Sequence, residues 1–220
     1  MVAIILTIAS SFIGSCDCQE DFTEEFTEAV TEAVTNEVTE EVTEEVIQEV
    51  TQEEYNKIIT LILTQYSEEA ASRGCYNIVN SQASLGHGMS VSEENIQNKF
   101  IKYGYDYSRL VEALFERNTT DVILDIPSSP ESGYIIDYDE TYIYSGQSWD
   151  PTFWENLRRD NPDVSEIIEI SLPVYDPKTG IVLLYFAPSR GPLYGFGSIS
   201  AYEYENGEIK LITRVGLWES

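Results

Sequence analysis

The hydrophobic rhythm of the chain changes twice. Val2 to Ile13 is an uncharged, mostly apolar run, and residues 22–53 then repeat with a period of four. From Glu54 onward the pattern becomes that of a folded domain. Tyr55, Ile58, Ile59, Ile62, Leu63 and Tyr66 recur at three- and four-residue intervals, which predicts an amphipathic helix stopped by Gly74. Residues 75–91 are mixed and rich in Ser and Gly, predicting a loop with a short strand at Tyr76 to Val79. Ser92, followed by Glu93 and Glu94, caps a second helix that carries Ile96, Phe100 and Ile101. A third begins at Ser108, turns Leu110, Val111, Leu114 and Phe115 inward, and ends near Asn118. Val122 to Ile126 and Ile135 to Tyr144 read as strands. Asp150-Pro151 is a cap followed by proline at the first helical position, opening a short helix with Phe153, Trp154 and Leu157.

The C-terminal third is β-rich. Ser165 to Tyr175, Ile181 to Phe186, Ser198 to Tyr204 and Glu208 to Trp218 form four runs. Asp176 to Gly180 joins the first pair, and Asn206-Gly207 is a strong two-residue hairpin signal. Ile199 and Ala201 alternate with Ser200 and Tyr202, the period-two pattern of a half-buried sheet. A large aromatic so near the C-terminus implies that the last strand is docked and that Trp218 is buried. Helices followed by consecutive strands with short turns give an α+β class, with N-terminal helices packed on a C-terminal antiparallel meander. The expected organisation is a signal peptide over 1–15, an acidic and partly helical stalk over 16–53, and a single α+β domain over 54–220.

The stalk divides into FTEE, FTEA, VTEA, VTNE, VTEE, VTEE, VIQE and VTQE. On an α-helix, a spacing of four overshoots each turn by about 40°. The Phe and Val column therefore winds around the helix instead of forming a straight coiled-coil seam. Glutamates four apart repel, and Val and Thr are indifferent helix formers. A solvated tether of up to roughly 55 Å is the reading that follows, at 1.5 Å per helical residue; calcium or a basic partner is the functional alternative for its acidic run.

Charge sharpens this picture. The chain carries 39 Asp and Glu against 12 Lys and Arg, a formal net of -27. Residues 1–54 hold 15 of the acids and none of the bases. Such a chain is poorly suited to nucleic acid, whose phosphates need cationic partners, and to an anionic lipid surface. One His and three Cys leave no basis for a His-rich metal site or a disulfide-dense scaffold.

The N-terminal apolar run is too short to span a bilayer but suits an export signal. It ends in Ile13-Gly14-Ser15-Cys16, which looks like the processing site of bacterial lipoproteins, with Cys16 as the lipidated residue. No Lys or Arg precedes the run, a departure from the usual export signal; cleavage near Ser15 without an anchor is the alternative. Cys16 and Cys18 are too close to pair easily, and neither Cys18 nor Cys75 lies in a CxxC motif.

Asp150 to Asp163 (with Trp154 and Asn161-Pro162), the strand Ile167 to Leu172, the stretch Gly191-Pro192-Leu193-Tyr194-Gly195-Phe196-Gly197 and the ending Asn206-Gly207…Leu217-Trp218-Glu219-Ser220 follow in that order. Together they resemble a family of small, functionally uncharacterised bacterial secreted or lipoprotein-type proteins, over roughly Leu110 to Ser220. The resemblance implies an α+β architecture and an envelope location, and no chemistry. In that family the Gly-rich loop often carries two cysteines four apart; Arg190 and Tyr194 stand at the matching positions here.

Candidate chemistry is sparse. His87, between glycines, could serve as a general base, yet no GxSxG or other nucleophile context accompanies it. Asp137, Asp139 and Glu140 could approach a Ca²⁺ ion, but the Gly-containing calcium loop is absent. The Gly191 to Gly197 loop is flanked by strands, whereas a phosphate cradle needs a following helix; tight hairpin geometry explains it better. Neither a cofactor nor a metal is expected. Tyrosine is unusually frequent, with 15 copies, and suits both sheet packing and binding surfaces. Tyr134, Tyr138, Tyr142 and Tyr194 are the candidate binding residues. The function expected is a non-catalytic, envelope-tethered binding module with a protein or glycan partner. The alternative is a periplasmic or cell-surface hydrolase using His87 or an Asp/Glu pair in a deep pocket.

Overall fold

Val182, Leu184 and Phe186 point to one side of the central strand β7 (Ile181–Gly191), and Leu183, Tyr185 and Ala187 to the other; all six are buried. A strand so apolar on both faces must be covered on both. A computed structural model of the chain, which describes residues 50–85, 92–139 and 150–220, places helices on each side. The signal-like run, Cys16, Cys18, most of the repeat, His87, Glu140, Tyr142 and Tyr144 lie outside those residues.

Four α-helices are present among the described residues: α1 (Gln52–Ser72), α2 (Glu93–Lys102), α3 (Ser108–Arg117) and α4 (Pro151–Asp160). The strands are β1 (Tyr76–Asn80), β2 (Gln82–Ala83), β3 (Val122–Ile123), β4 (Tyr134–Asp137), β5 (Val164–Ile170), β6 (Val174–Asp176), β7, β8 (Tyr194–Glu205) and β9 (Glu208–Glu219). The main sheet runs β4-β1-β5-β7-β8-β9, with β6 also on β7, while β2 and β3 form a separate two-stranded ribbon. The class is α+β, but the sheet is mixed where an antiparallel meander was expected. β1 is parallel to both β4 and β5, and the rest of the sheet is antiparallel. Parallel neighbours need crossover connections, and the helical segments between β1 and β4 and between β4 and β5 supply them.

α1 packs Ile58, Ile59, Ile62 and Leu63 against the face formed by Val79, Ile168, Ile170, Leu184 and Phe186. On the opposite face, α2 and α3 bury Ile96, Phe100, Val111 and Leu114 against Leu183, Tyr185, Ile199 and Ala201. α4 closes Trp154 and Leu157 over Ile78 and Ile167. Each such aliphatic side chain contributes about 1.5–3 kcal/mol when fully buried. β8 is therefore not half-buried as its alternation suggested: Ser198, Ser200 and Tyr202, on the α1 side, are buried as well.

The helix starts follow local chemistry. Thr51 caps α1 by accepting from Glu54 N at 3.2 Å, Ser92 caps α2, and Asp150 accepts from Thr152 N ahead of Pro151. α1 thus opens at Gln52, so a division at residue 54 falls inside its first turn. The β8–β9 hairpin turns at Asn206 (φ 54°) and Gly207 (φ 81°), the positive pair its sequence requires. β9 is an edge strand, opposite β4, and is interrupted twice: Leu217 and Ile212 have no partner in the β8 register. Such bulges are a common guard on exposed edges. Trp218 is only half-buried, because it lies on this edge; its Nε1 donates to the Tyr185 hydroxyl at 3.1 Å. Among the described residues no helix is long and apolar enough to cross a membrane.

Candidate functional site

The sheet face that α1 covers continues, at period two, toward the β7–β8 turn. Glu166 follows the register of Ile168 and Ile170 on β5, Pro188 and Arg190 that of Leu184 and Phe186 on β7, and Tyr194 and Phe196 that of Ser198 on β8. Together with Tyr66 of α1, Gly195, Glu219 and Ser220, these side chains line a cleft of about 290 Å³. Arg158 of α4 donates to the Arg190 carbonyl and so ties this end of the sheet to the helix on its other face.

Glu166 is buried, at 3 % exposure, and both its oxygens are engaged. The Tyr66 hydroxyl donates to Oε2 at 2.6 Å, while Arg190 donates to Oε1 through Nε and a terminal nitrogen. An isolated carboxylate would be costly here, and the guanidinium offsets that cost. Because the Arg190 side chain is 64 % exposed, solvent screens the pair, and its net worth is modest. Burial raises the Tyr66 phenol well above its ordinary range, with the hydrogen bond to Glu166 and its charge adding to the shift; Arg190 and Arg214 oppose it. The Tyr66 ring meets Phe186 edge-on, with centroids 4.6 Å apart.

A smaller pocket of about 80 Å³ shares Tyr66, Glu166 and Arg190 with the cleft and adds Asn77 and Ser165 of the sheet, Glu69 of α1 and Arg73 just after it. Asn77 is 2 % exposed; its Nδ2 donates to Ser67 Oγ at 2.9 Å, and its Oδ1 accepts from none of the described residues. A groove of about 580 Å³ continues from Tyr66 along α1 to Arg214 of β9. At the opposite end of β7 and β8 a groove of about 420 Å³ lies between the Pro177–Gly180 and Asn206–Gly207 turns. Turn residues, the acids Glu54, Glu203 and Glu205, Tyr175 and the buried Tyr204 wall it.

The structure separates the candidate tyrosines. Tyr194 is 74 % exposed and forms a wall of the cleft. Tyr134 has no exposed surface: it is a core residue of β4 beneath α1, which corrects its assignment as a binding residue. Its alternation with Ile136 directs it inward. Burial raises its phenol pKa, and the Thr60 and Thr64 hydroxyls oppose the shift. Tyr138 is 48 % exposed, but its hydroxyl is turned to the 124–126 segment, accepting from Ile126 N at 3.3 Å and donating to backbone oxygen there. Tyr142, Cys16 and His87 lie outside the described residues. Asp137 is buried at the end of β4 while Asp139 is exposed beyond it. Among the described residues no group of three or more His, Cys, Asp or Glu is placed to hold a metal.

The Gly191 to Gly197 stretch is mostly strand, with Pro192-Leu193 as its turn. Gly195 and Gly197 serve packing. A Cβ on Gly197 would lie 2.0 Å from Trp218 Nε1, and one on Gly195 would lie 2.7 Å from Ser189 Oγ. The residues that sequence reasoning passed over are Tyr66, Asn77, Glu166 and Arg190. The available signal was Glu166, a charge on the inward side of Ser-Glu-Ile-Ile-Glu-Ile. No protein-family model matches the chain, and none of the curated proteins or solved structures compared with it matches.

Proposed function

We propose that the protein is a non-catalytic binding module, tethered to the bacterial cell envelope through Cys16 by the acidic repeat, with its partner received in the Tyr194 cleft. The observation that carries this reading is the contrast within the cleft: a largely exposed Tyr194 beside a buried Glu166 whose oxygens are both taken by Tyr66 and Arg190. A carboxylate so engaged is a rigid polar wall and not a free base. Glu219 shares the cleft with it, and that pairing is the nearest approach to the hydrolase alternative. The position of the cleft also supports a tethered role. Tyr66 lies about 21 Å along α1 from Gln52, at 1.5 Å per residue, so the cleft is set well away from the end at which the repeat joins. The run before Cys16 and the family resemblance support the envelope location.

Two measurements test the reading. Palmitate should label the wild type and not Cys16→Ala; equal labelling, or none in either, removes the anchor. A photo-crosslinking residue at position 194 should give discrete adducts in envelope fractions, and one at Glu112, on the exposed side of α3, should not. Identical patterns from the two positions would rule out the cleft as the binding face.

A further inference from the structure

We infer that the cleft binds a neutral sugar ring of a glycan; this rests on the binding-module reading and assigns its ligand class. The charges around the cleft exclude the simpler ligands. An anion would meet the Glu166 and Glu219 carboxylates on a strongly acidic chain, and Arg190, the guanidinium that faces it among the described residues, is already committed to Glu166. A cation would find those carboxylates but also the same guanidinium, 64 % exposed, so neither sign of charge has the cleft to itself. What remains complementary is an uncharged ligand that carries both donors and acceptors.

A sugar supplies these in the required places. Its hydroxyls can accept from the Arg190 N–H groups that Glu166 does not use, since a guanidinium has five. A hydroxyl can also donate to the Glu219 carboxylate, an exposed acceptor in the wall of the same cleft. The Tyr194 ring, 74 % exposed, offers a flat apolar surface for the C–H face of the ring. The cleft's volume of about 290 Å³ is just below the range for small-molecule sites, about 300–1,000 Å³. It suits one ring, and the adjoining groove along α1 gives a chain somewhere to continue.

The test is calorimetric titration of the full-length protein with two neutral probes, tetra-N-acetylchitotetraose and cellotetraose, and separately with a lysine-rich peptide. At least one oligosaccharide should bind saturably, with an affinity that holds between about 0.05 and 0.5 M salt, as expected for an uncharged ligand. Tyr194→Ala should weaken it by about tenfold or more, the scale of a lost anchor residue, at unchanged melting temperature. Tyr194→Phe, which keeps the ring, should stay within about threefold. Oligosaccharide binding that Tyr194→Ala leaves intact overturns the site. No sugar binding, together with peptide binding that Tyr194→Ala weakens, overturns the sugar and leaves the cleft as a binding face. Failure of both probes overturns the sugar inference, and crosslinking from position 194 then decides the binding-face reading separately.

Discussion

Gly197 and Trp218 fit each other across the β8–β9 register, and the fit accounts for a glycine in the middle of a twelve-residue strand. A methyl group at 197 would overlap the indole, so Gly197→Ala should displace Trp218 from its bond to Tyr185 and cost about 1–3 kcal/mol, in line with other overpacked sites. Chemical denaturation read by tryptophan fluorescence checks this; an unshifted midpoint would mean the edge strand yields freely. Trp218→Ala should cost about 2 kcal/mol, below the 3–5 typical of a fully buried aromatic, because the residue is only partly buried. At Tyr66 the sign of the pH effect is fixed by its shift. Folding raises the phenol's pKa above its ordinary value near 10, so the neutral form is favoured in the native state. Its contribution is intact below pH 10 and is lost as the pH rises beyond it. Tyr66→Phe should lose about 1–2 kcal/mol at pH 7 through the bond to Glu166, and its stability should decline less steeply than that of the wild type above pH 10. Parallel alkaline profiles would place the titrating group elsewhere.

At the scale of elements, the chain disclosed its helices well and its sheet in part. The helices carry local signals: Thr51, Ser92 and Asp150 cap, Gly74 stops, and the apolar spacing sets each buried face. β1 carries almost none. Five residues, Tyr-Asn-Ile-Val-Asn, read as a short strand beside a loop, yet they form an interior strand paired in parallel on both sides. Parallel pairing depends on segments far apart in the chain, with no turn to announce it. The cleft and the small pocket beside it were hidden for the same reason: Tyr66, Asn77, Glu166, Arg190 and Tyr194 come from four strands and a helix, and only the exposed tyrosine looked like a binding residue by itself. The docking of α1 can be tested at Gly133, which precedes β4. Its φ is 83°, and a Cβ there would lie 2.5 Å from the Ser67 carbonyl and 2.9 Å from Ala71 N. Gly74 has a similar φ of 72° with open space around it. Gly74→Ala should therefore cost about 1 kcal/mol, from backbone conformation alone. Gly133→Ala should cost about 3 kcal/mol, since it also pushes the helix off the sheet. Equal losses by thermal or chemical denaturation would show that α1 tolerates displacement.

The whole molecule poses the question of what the acidic repeat contributes. Its eight tetrapeptides present no constant apolar face to bury, and its unbalanced acids add self-repulsion in place of contacts. A chain beginning at Val50 should therefore melt within a few degrees of the mature full-length protein. A chain beginning at Glu54 should not do as well. It lacks Thr51, whose hydroxyl caps α1, and Gln52, whose side chain donates to Asn56 at 2.8 Å. Loss of a cap costs about 1 kcal/mol, which in a protein of this size lowers the melting temperature by roughly 2–4 °C. Thr51→Ala in the full chain should reproduce most of that drop, and Thr51→Ser should restore it. If the Val50 chain instead melts more than about 10 °C below the full protein, the repeat packs on the folded unit, and its role as a solvated tether fails.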